Sequence, residues 1–508
     1  MRQLTFLFFI GILITLSSCR TDFETVSSTG DLKFSKDTIY LDTVFTNIGS
    51  STYTLKVYNN SKNDITIPTI KLGKGLASKY RMTVDGMQGN QGKLFENVNL
   101  LAKDSLYIFI ETTANIADAN PSDFLYTDQI LFDGGTNLQK VELVTLIQDA
   151  VFLYPQRFDD GTTESLPIGD EEIYGFFLDE NDPVYGNELK FTNKKPYVIY
   201  GYAAVPSGKT VSFDPGTRVH FHADSGLILA KNASLNINGT ASRTDKSENE
   251  VIFEGDRLEP DFSDVPGQWG IVWLTNGSTN HKINHLTIKN ATMGLWIDNN
   301  NESTVQIKNT QIYNCTSYGI LAKTAKINGE NLVINNAGIA SLGCTYGGDY
   351  KFAHCTFNNN WSSSSQVAVL VNNYFTGATP EVKNLTQATF NNCIIYGSFS
   401  NEMILNKKTG ATFEYQFNNC LIKFDNTSNK YTNHPEYQFT TDPLHYNAII
   451  QNKDPKFFKI AENKLNIDAS SAAFAKGNTS YLIPIDIQGT TRTLPPDLGA
   501  YQNKPFPK

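Results

Sequence analysis

The sequence has few charged residues, and it lacks a basic cluster. Charged side chains make up only 18 % of the 508 residues, and the net charge is −9 with a pI near 5.4. No run of lysine or arginine interrupts this acidic balance. Nucleic-acid-binding proteins usually carry a basic patch, so we expect no nucleic-acid partner.

Cysteine is also scarce. There are six cysteines, and apart from Cys19 five remain, at positions 315, 344, 355, 393 and 420. An odd number does not make a closed disulfide framework. No two of them show the close CxxC spacing of a zinc site, so we expect no bound metal at these residues.

The sequence has one prominent hydrophobic run, Leu4–Leu16, which follows a positive start at Met1-Arg2. The run is shorter than the ~20 residues that a transmembrane helix needs, and it suits a secretion signal. The next residues, Leu16-Ser17-Ser18-Cys19, resemble a bacterial lipobox. The resemblance implies that Cys19 is acylated and becomes the first residue of the mature protein.

On this interpretation residues 1–18 are a signal peptide and residues 19–30 are a lipidated tether. Two or more acyl chains anchor a protein stably to a membrane. Arg20 stands where aspartate would indicate inner-membrane retention, so we expect a lipid-anchored outer-membrane protein. Whether it faces the periplasm or the cell surface is left open.

Residues 31–150 consist of short segments with apolar side chains at alternate positions. Seven such segments separated by Gly, Asn and Asp predict an antiparallel β-sandwich. They are 38–45, 52–60, 64–67, 80–84, 105–111, 128–132 and 141–147. The arrangement resembles the immunoglobulin-like modules of the abnormal-spindle/hydin type, through Leu32-Lys33-Phe34, Asp42-Thr43-Val44 and the pair Asn59-Asn60.

Residues 151–204 are rich in acids but contain no calcium-binding loop of the EF-hand type. We interpret them as a connecting segment that leads into a first coil at 197–205.

The decisive feature of the remaining sequence is a repeat of about 23 residues. A polar residue is followed three positions later by an apolar one and often five positions later by a small or amide residue. Its first positions are His285, Asn309, Asn331, His354, Asn392 and Asn419, and the first three steps are 24, 22 and 23 residues. Strand-forming residues at such a period predict a β-solenoid with asparagine ladders at its bends.

Equivalent residues of successive coils stack at about 4.8 Å. We therefore expect an inward apolar column of Ile288, Ile312, Ile334, Phe357, Ile395 and Ile422. Cys355, Cys393 and Cys420 share one register, and we predict that they form a buried stack of small apolar groups.

The segments Gly216–Phe221 and Leu235–Thr240 resemble the opening coils of bacterial right-handed parallel β-helix proteins of the pectin-lyase-like fold. Asp454–Phe457 and Pro496–Tyr501 resemble their closing segment. The resemblance covers about 205–501. The fold class predicted for the chain is all-β, an immunoglobulin-like β-sandwich followed by a right-handed parallel β-helix.

Because this fold hosts polysaccharide lyases, we tested the sequence for a lyase site. No arginine occurs between His281 and Ser480, which removes the commonest lyase base. A lysine base remains possible at Lys323, Lys326, Lys351 or Lys383. The acids that a Ca²⁺ site would need are isolated, at Asp298, Glu302, Glu330, Asp349 and Glu381, and Ca²⁺ is expected only under this alternative.

Two further sets of residues are candidates for binding. His220, His222 and Asp224 are weak candidates for a metal site, although the histidines are expected to be exposed side chains of an early coil. Trp296, Asp298, Asn299 and Trp361 are candidates for glycan binding, because sugar rings pack on flat aromatic faces. The segment 358–384 is expected to protrude and to carry a function-specific surface.

The leading functional hypothesis is a non-enzymatic cell-envelope lipoprotein, without a cofactor, that presents a rigid β-helix surface for adhesion or glycan binding. The alternatives are a polysaccharide lyase that uses lysine and Ca²⁺, and an assembly partner of an outer-membrane complex. The expected partners are the membrane, through the lipid anchor, and a polysaccharide or other envelope proteins.

Overall fold

The computed structural model describes residues 24–169, 171–244, 246–300, 303–362, 365–377 and 380–507. The predicted signal peptide, Cys19 and Arg20 lie outside these residues. Within them the chain forms two compact units that meet in sequence between Asp149 and Ala150. No α-helix occurs in the described ranges, and the helical turns there are short 3-10 segments. These are Gly75–Ala77, Ile116–Asp118, Gly135–Asn137, Pro260–Phe262, Pro435–Tyr437, Ile460–Glu462 and Thr479–Tyr481.

The first unit contains ten strands among its described residues. They are β1 Val26–Ser27, β2 Lys33–Phe34, β3 Thr38–Phe45, β4 Tyr53–Tyr58, β5 Ile65–Leu72, β6 Tyr80–Val84, β7 Leu94–Leu100, β8 Ser105–Thr112, β9 Leu125–Phe132 and β10 Gln139–Gln148.

Two sheets of this unit enclose one apolar core. One sheet has the order β1-β5-β9-β10-β3, with β7 paired to β5, and the other has the order β2-β4-β8-β6. Each of the seven predicted strands overlaps a strand of the structure. The pairing is mostly antiparallel, but β10–β3 and β1–β5 are parallel, which the prediction of an antiparallel sandwich missed. The immunoglobulin-like character of the unit stays a prediction.

The second unit contains three large sheets, here called A, B and C. Sheet A consists of Val151–Leu153, Tyr197–Ile199, Arg218–Phe221, Val251–Gly255, Leu286–Lys289, Gln311–Cys315, Val333–Ala337, Thr356–Asn359, Ile394–Gly397, Leu421–Ile422 and Ile450–Gln451. Sheet B consists of Ser165–Ile168, Glu171–Phe177, Tyr202–Val205, Gly226–Leu229, Trp269–Leu274, Ala291–Asp298, Tyr318–Lys323, Ala340–Thr345, Val367–Asn372 and Met403–Asn406. Sheet C consists of Lys190–Phe191, Thr210–Phe213, Ser234–Asn238, Lys282–Asn284, Val305–Lys308, Lys326–Glu330, Gly348–Ala353, Leu385–Asn391, Gln416–Asn418 and Tyr446–Asn447.

The chain visits the three sheets in the repeating order A, B, C. Each strand pairs in parallel with the strand one coil later, and the antiparallel pair Ser165–Ile168 with Glu171–Phe177 is an exception at the start of sheet B. This arrangement is the stacking of coils that the sequence repeat predicts. The right-handed sense of the β-helix stays a prediction.

The predicted inward column is confirmed. Ile288, Ile312, Ile334, Phe357, Ile395 and Ile422 stand opposite one another on successive strands of sheet A, and all six are fully buried. The hydrophobic effect on these stacked side chains favours one register, since a slip of one residue turns every apolar side chain outward.

The residues that mark the repeat lie at bends of the backbone. His285, Asn309, Asn331, His354, Asn392 and Asn419 all have φ between 49° and 53°. Asparagine tolerates this left-handed conformation better than most residues, which explains its recurrence.

Amide side chains at the bends join neighbouring coils. Asn331 Nδ2 donates to Asn309 Oδ1 at 2.9 Å, and Asn336 Nδ2 donates to Asn314 Oδ1 at 2.7 Å. At two places the ladder departs from the prediction. Asn309 donates to Asn284 rather than to His285, and Asn392 contacts His354 Nε2 at 3.0 Å.

The three cysteines in one register are free and fully buried, as the sequence predicts. Cys355, Cys393 and Cys420 occupy successive coils of the apolar core. Burial raises the pKa of the Cys355 and Cys420 thiols well above the usual value. Neutral thiols in this position act as small apolar side chains.

The segment 151–204 is not only a connection. Val151–Leu153, Glu171–Phe177 and Lys190–Phe191 each pair in parallel with the next strand of sheets A, B and C. The segment therefore supplies a coil of its own. Its strands are three, seven and two residues long, and the polar-residue repeat that reveals the later coils begins only at His285.

Candidate functional site

Over much of its length the outer face of sheet A is covered by the C-terminal segment 452–507. Apolar residues of the segment, among them Phe457, Leu465 and Leu498, pack with Val333 and Ile394 of sheet A in one buried cluster. Ligand binding by the solenoid is therefore to be sought first on the outer faces of sheets B and C.

Polar contacts also attach the C-terminal segment to the coils. Arg492 Nη2 donates to Asn331 Oδ1 at 2.8 Å and to the carbonyl oxygens of Gly499 and Ala500 at 3.1 Å. The backbone N–H of Asn478 donates to Asn392 Oδ1 at 2.8 Å. The asparagine ladder of sheet A is thus also the attachment line of this segment.

Trp296 belongs to an outward row of sheet B. It stands opposite Trp273 on one side and Leu321 on the other. The two indole rings are stacked, with centroids 4.5 Å apart and planes 5° from parallel. One flat face of Trp296 is therefore occupied by Trp273, so this face is not free for a sugar ring.

Asp298 and Asn299 lie two and three residues further, at the corner between sheets B and C. Asp298 stands opposite Lys323 on the next strand. Asn299 Nδ2 donates to Asn276 Oδ1 at 3.2 Å, so Asn299 joins two coils. The structure therefore places Trp296, Asp298 and Asn299 together near one corner.

Trp361 lies elsewhere. It follows the sheet A strand Thr356–Asn359 and precedes the sheet B strand Val367–Asn372, so it belongs to the corner between sheets A and B. Its ring passes over Gly338, where an added Cβ would be 3.4 Å from the indole. The candidate glycan-binding residues thus occupy two different corners.

The candidate metal ligands do not come together. His220 was expected to be exposed but is buried, with Nδ1 3.2 Å from the carbonyl oxygen of Gly255. Burial lowers its pKa, and Glu254 opposes that effect. His222 is exposed and contacts Asp256 Oδ2 at 2.7 Å. In the described part of the chain, no three His, Cys, Asp or Glu side chains are grouped to hold a metal ion.

The segment 358–384, predicted to protrude, is partly built into the coils, because it contains the end of the sheet A strand Thr356–Asn359 and the sheet B strand Val367–Asn372. It then forms a short hairpin. Tyr374–Phe375 pairs antiparallel with Glu381–Val382 at the corner between sheets B and C. Phe375 is 50 % exposed. Lys323 Nζ lies 5.1 Å from its ring centroid, and Lys383 Nζ lies 4.5 Å from that of Tyr346. The hairpin therefore adds aromatic and cationic groups to this corner.

A shallow groove lies next to this corner, on the outer face of sheet C. Its volume is about 250 Å³. It is lined by Thr304, Gln306, Lys326, Ile327, Asn328, Asp349 and Lys351. These residues come from three successive strands, so the groove crosses three coils, and we call it the sheet C groove.

The alternation of the strands explains how the groove forms. Gln306, Asn328 and Lys351 stand opposite one another on successive strands and point outward, whereas Ile307 and Ile327 are buried. Stacked coils bring such outward residues within about 5 Å of each other. A row of amide and amino groups therefore follows the solenoid axis.

Hydrogen bonds and ion pairs organise the groove. Asn328 Nδ2 donates to Gln306 Oε1 at 3.1 Å and to Glu330 Oε1 at 3.3 Å. Lys326 Nζ lies 3.6 Å from Asp349 Oδ2. The wall thus combines hydrogen-bond donors, acceptors and paired charges, the set of groups that binds hydroxyl-rich ligands.

Part of this groove is predicted from the sequence. Lys326, Lys351 and Asp349 belong to the lyase alternative, and the structure brings them to the same surface. Lys323 and Lys383 lie instead at the corner, and Glu330 pairs with Lys308 at 2.9 Å. Thr304, Gln306 and Asn328 were missed, although each occupies a polar position that alternates with a buried apolar one.

No protein-family model matches the sequence, and no curated protein matches it. Within the described residues, no helix is long and apolar enough to cross a membrane.

Several solved structures are similar over part of the chain. The catalytic unit of a GH87 α-1,3-glucanase from Streptomyces thermodiastaticus is 10 % identical, covers 72 % of this chain and 83 % of its own, and has a TM-score of 0.17. The E. coli chaperone DraB is 15 % identical over 24 % of this chain, with a TM-score of 0.17, and the match spans 57 % of the chaperone. An ASH/PapD-like domain of human CEP192 is 12 % identical, covers 24 % of this chain and 87 % of its own, and has a TM-score of 0.15. At these scores the similarities carry no inference about activity.

Proposed function

We propose that this protein is an outer-membrane lipoprotein that binds a glycan in the sheet C groove of a pectin-lyase-like β-helix. The observation that carries the proposal is the row of Gln306, Asn328 and Lys351, which spans three coils with its polar groups outward. The row follows the solenoid axis across three coils, which suits a linear polymer better than a small molecule. An immunoglobulin-like module and a lipid tether would hold the solenoid at the membrane.

The groove chemistry suits sugar hydroxyls. An amide side chain offers both a donor and an acceptor, and a lysine offers three donors. Lys351 is exposed and has no ion-pair partner within 4 Å among the described residues, so it can meet a hydroxyl or a carboxylate of the ligand.

The test compares the full-length protein with the double variant Asn328→Ala/Lys351→Ala. Loss of a neutral and a charge-assisted hydrogen bond should weaken binding to a glycan by about tenfold or more. Affinity electrophoresis in gels containing polygalacturonate, alginate or a neutral glucan measures the change. Each polysaccharide should retard the wild type more than the double variant, relative to a gel without polysaccharide. Equal retardation of both proteins in every gel would contradict the proposal.

Lys190→Ala is a matched control. Lys190 occupies the same outward row of sheet C, four strands before Gln306, and is exposed. Its removal should leave binding unchanged. If Lys190→Ala weakens binding as much as the double variant does, the effect is one of general charge and not of the groove.

The second candidate function is a lyase that uses lysine and Ca²⁺. The observation that favours it is the presence of Lys326, Asp349 and Lys351 in one groove. Incubation with uronic-acid polymers, with and without Ca²⁺, tests it through the absorbance of unsaturated products. A signal that disappears in Lys351→Ala would establish the lyase in place of simple binding.

A further inference from the structure

The outer face of the four-stranded sheet in the first unit carries two exposed aromatic side chains. Tyr107 and Phe109 occupy alternate positions of β8, whereas Leu106, Ile108 and Ile110 point into the core. Tyr107 is 45 % exposed and Phe109 is 42 % exposed. Their rings are nearly parallel, with planes 14° apart and centroids separated by 6.4 Å. Two large aromatic side chains are thus held in one orientation without being buried.

A concave space of about 290 Å³ lies beside Phe109. It is lined by Arg81, Met82, Thr83, Gln88, Gly89, Gln91, Gly92, Phe109 and Glu111. The loop that follows β6 forms one wall, because it folds back along its own strand. Met82 N–H donates to the Gly92 carbonyl at 2.9 Å, and Val84 N–H donates to the Met87 carbonyl at 3.0 Å.

Glycine is required where this loop passes the strand most closely. Gly92 has a φ of +68°, and an added Cβ would lie only 3.1 Å from the carbonyl oxygen of Met82. The loop therefore has a defined path along β6, and it carries Gln88 and Gln91 to the rim of the cavity.

The polar wall of the cavity is a connected network. Arg81 Nη2 lies 2.7 Å from Glu111 Oε2, and Arg81 Nη1 donates to Thr113 Oγ1 at 3.0 Å. The Thr52 hydroxyl donates to Glu111 Oε1 at 2.5 Å. This hydroxyl and the guanidinium of Arg81 hold the pKa of Glu111 below its usual value. The cavity thus contains one cation and one anion that neutralise each other.

We propose that the aromatic pair and this cavity form a second ligand site, which binds a neutral oligosaccharide. The C–H faces of pyranose rings pack on aromatic rings, and their hydroxyls bond to amides and to paired charges. Arg81 and Glu111 neutralise each other. An anionic ligand would therefore lie near the Glu111 carboxylate and find no unpaired cation among the residues that line the cavity. A purely apolar protein segment would bury this ion pair without new hydrogen bonds, which costs free energy. The site is separate from the sheet C groove and does not depend on it.

Titration calorimetry of the full-length protein with cellohexaose, laminarihexaose and trigalacturonate tests the proposal. We expect saturable binding of a neutral hexaose and no binding of trigalacturonate at this site. The variant Tyr107→Ala/Phe109→Ala should weaken that binding by about tenfold or more. Tyr40→Ala is the matched control, because Tyr40 is 67 % exposed on a strand of the other sheet, and it should bind as the wild type does.

A second variant, Gln88→Ala/Gln91→Ala, lies on the exposed loop and keeps the test valid if the aromatic variant does not fold. It too should weaken the binding of the neutral hexaose.

Unchanged binding in either folded variant overturns the proposal, as does failure of both neutral hexaoses to bind. Loss of hexaose binding in Asn328→Ala/Lys351→Ala but not in the aromatic variant would assign the ligand to the sheet C groove instead. Displacement of the hexaose by an extended apolar peptide, with tighter binding of the peptide, would identify a protein partner and also overturn it.

Discussion

His354 occupies a position that asparagine fills in the neighbouring coils. It has the same left-handed φ as Asn331 and Asn392, is fully buried, and contacts Asn392 through Nε2. Burial, with a smaller contribution from Arg492, lowers its pKa to about 3. The imidazole is therefore neutral in the folded protein at pH values well above 3.

This lowered pKa predicts that stability falls on acidification. The unfolded chain binds a proton at His354 below its ordinary pKa of about 6.5, whereas the folded protein does not. The stabilisation is complete above pH 6.5 and is lost as the pH falls towards 3, at about 1.4 kcal/mol per pH unit. His281 and His285, whose pKa burial lowers to about 4, act in the same direction.

The variant His354→Asn should remove the contribution of this residue. Asparagine fits the bend and keeps a partner for Asn392. When the pH falls from 7.5 to 5, the free energy of unfolding should decrease by about 2 kcal/mol less in the variant than in the wild type. Urea unfolding at the two pH values measures it. His434→Asn, at an exposed histidine, is the control. An identical loss of stability in His354→Asn and wild type would show that this histidine does not cause the pH dependence.

At the scale of elements, the C-terminal segment and sheet A depend on each other. Among its described residues the segment 452–507 forms isolated β-bridges and 3-10 turns but no strand. Its order therefore rests on the apolar cluster with sheet A and on polar contacts to the asparagine ladder. Arg492 is 5 % exposed. Burial lowers the pKa of its guanidinium to about 10, and the nearby carboxylates of Asp486 and Asp497 oppose this effect. Its guanidinium is the charge that binds this segment to Asn331.

Replacing Arg492 by alanine should loosen the segment and leave the coils formed. Removal of one member of a buried charged network costs about 3 kcal/mol. We expect faster proteolytic cleavage within 452–507 and little change in the far-ultraviolet circular dichroism. Lys504→Ala, at an exposed position in the same segment, should be cleaved as slowly as the wild type. A cleavage rate in Arg492→Ala equal to that of the control would show that apolar packing alone holds the segment.

At the scale of the whole molecule, the proposed arrangement is two β-units exported and tied to a membrane. Each unit has its own apolar core, and each carries a polar concavity on an outward sheet face. Two glycan-contacting surfaces on one anchored chain would raise the effective affinity for a polymer that reaches both.

The anchor itself is predicted from the Leu16–Cys19 tetrad. Metabolic labelling with palmitate should mark the wild-type protein, and Cys19→Ala should lose the label because the acylated sulfur is gone. The label should survive in Cys355→Ala, since that thiol is buried in the solenoid core. Equal labelling of Cys19→Ala and wild type would refute the lipoprotein interpretation.

The sequence by itself determined the parts of the structure that repeat. A bend needs a residue that tolerates positive φ, and each coil needs an apolar residue at a constant distance from it, so Asn309, Asn331 and Asn392 with Ile312, Ile334 and Ile395 could be recognised from spacing alone. The seven main strands of the first unit followed from strict alternation for the same local reason.

Only the tertiary structure decided which faces remain open. The C-terminal segment covers sheet A by contacts between residues more than a hundred positions apart, such as Asn331 with Arg492, and no local pattern encodes that. The sheet C groove and the cavity beside Phe109 likewise depend on which side chains of different strands become neighbours. A single strand fixes the direction of its side chains, but a site requires the register between strands, and long-range packing sets that register.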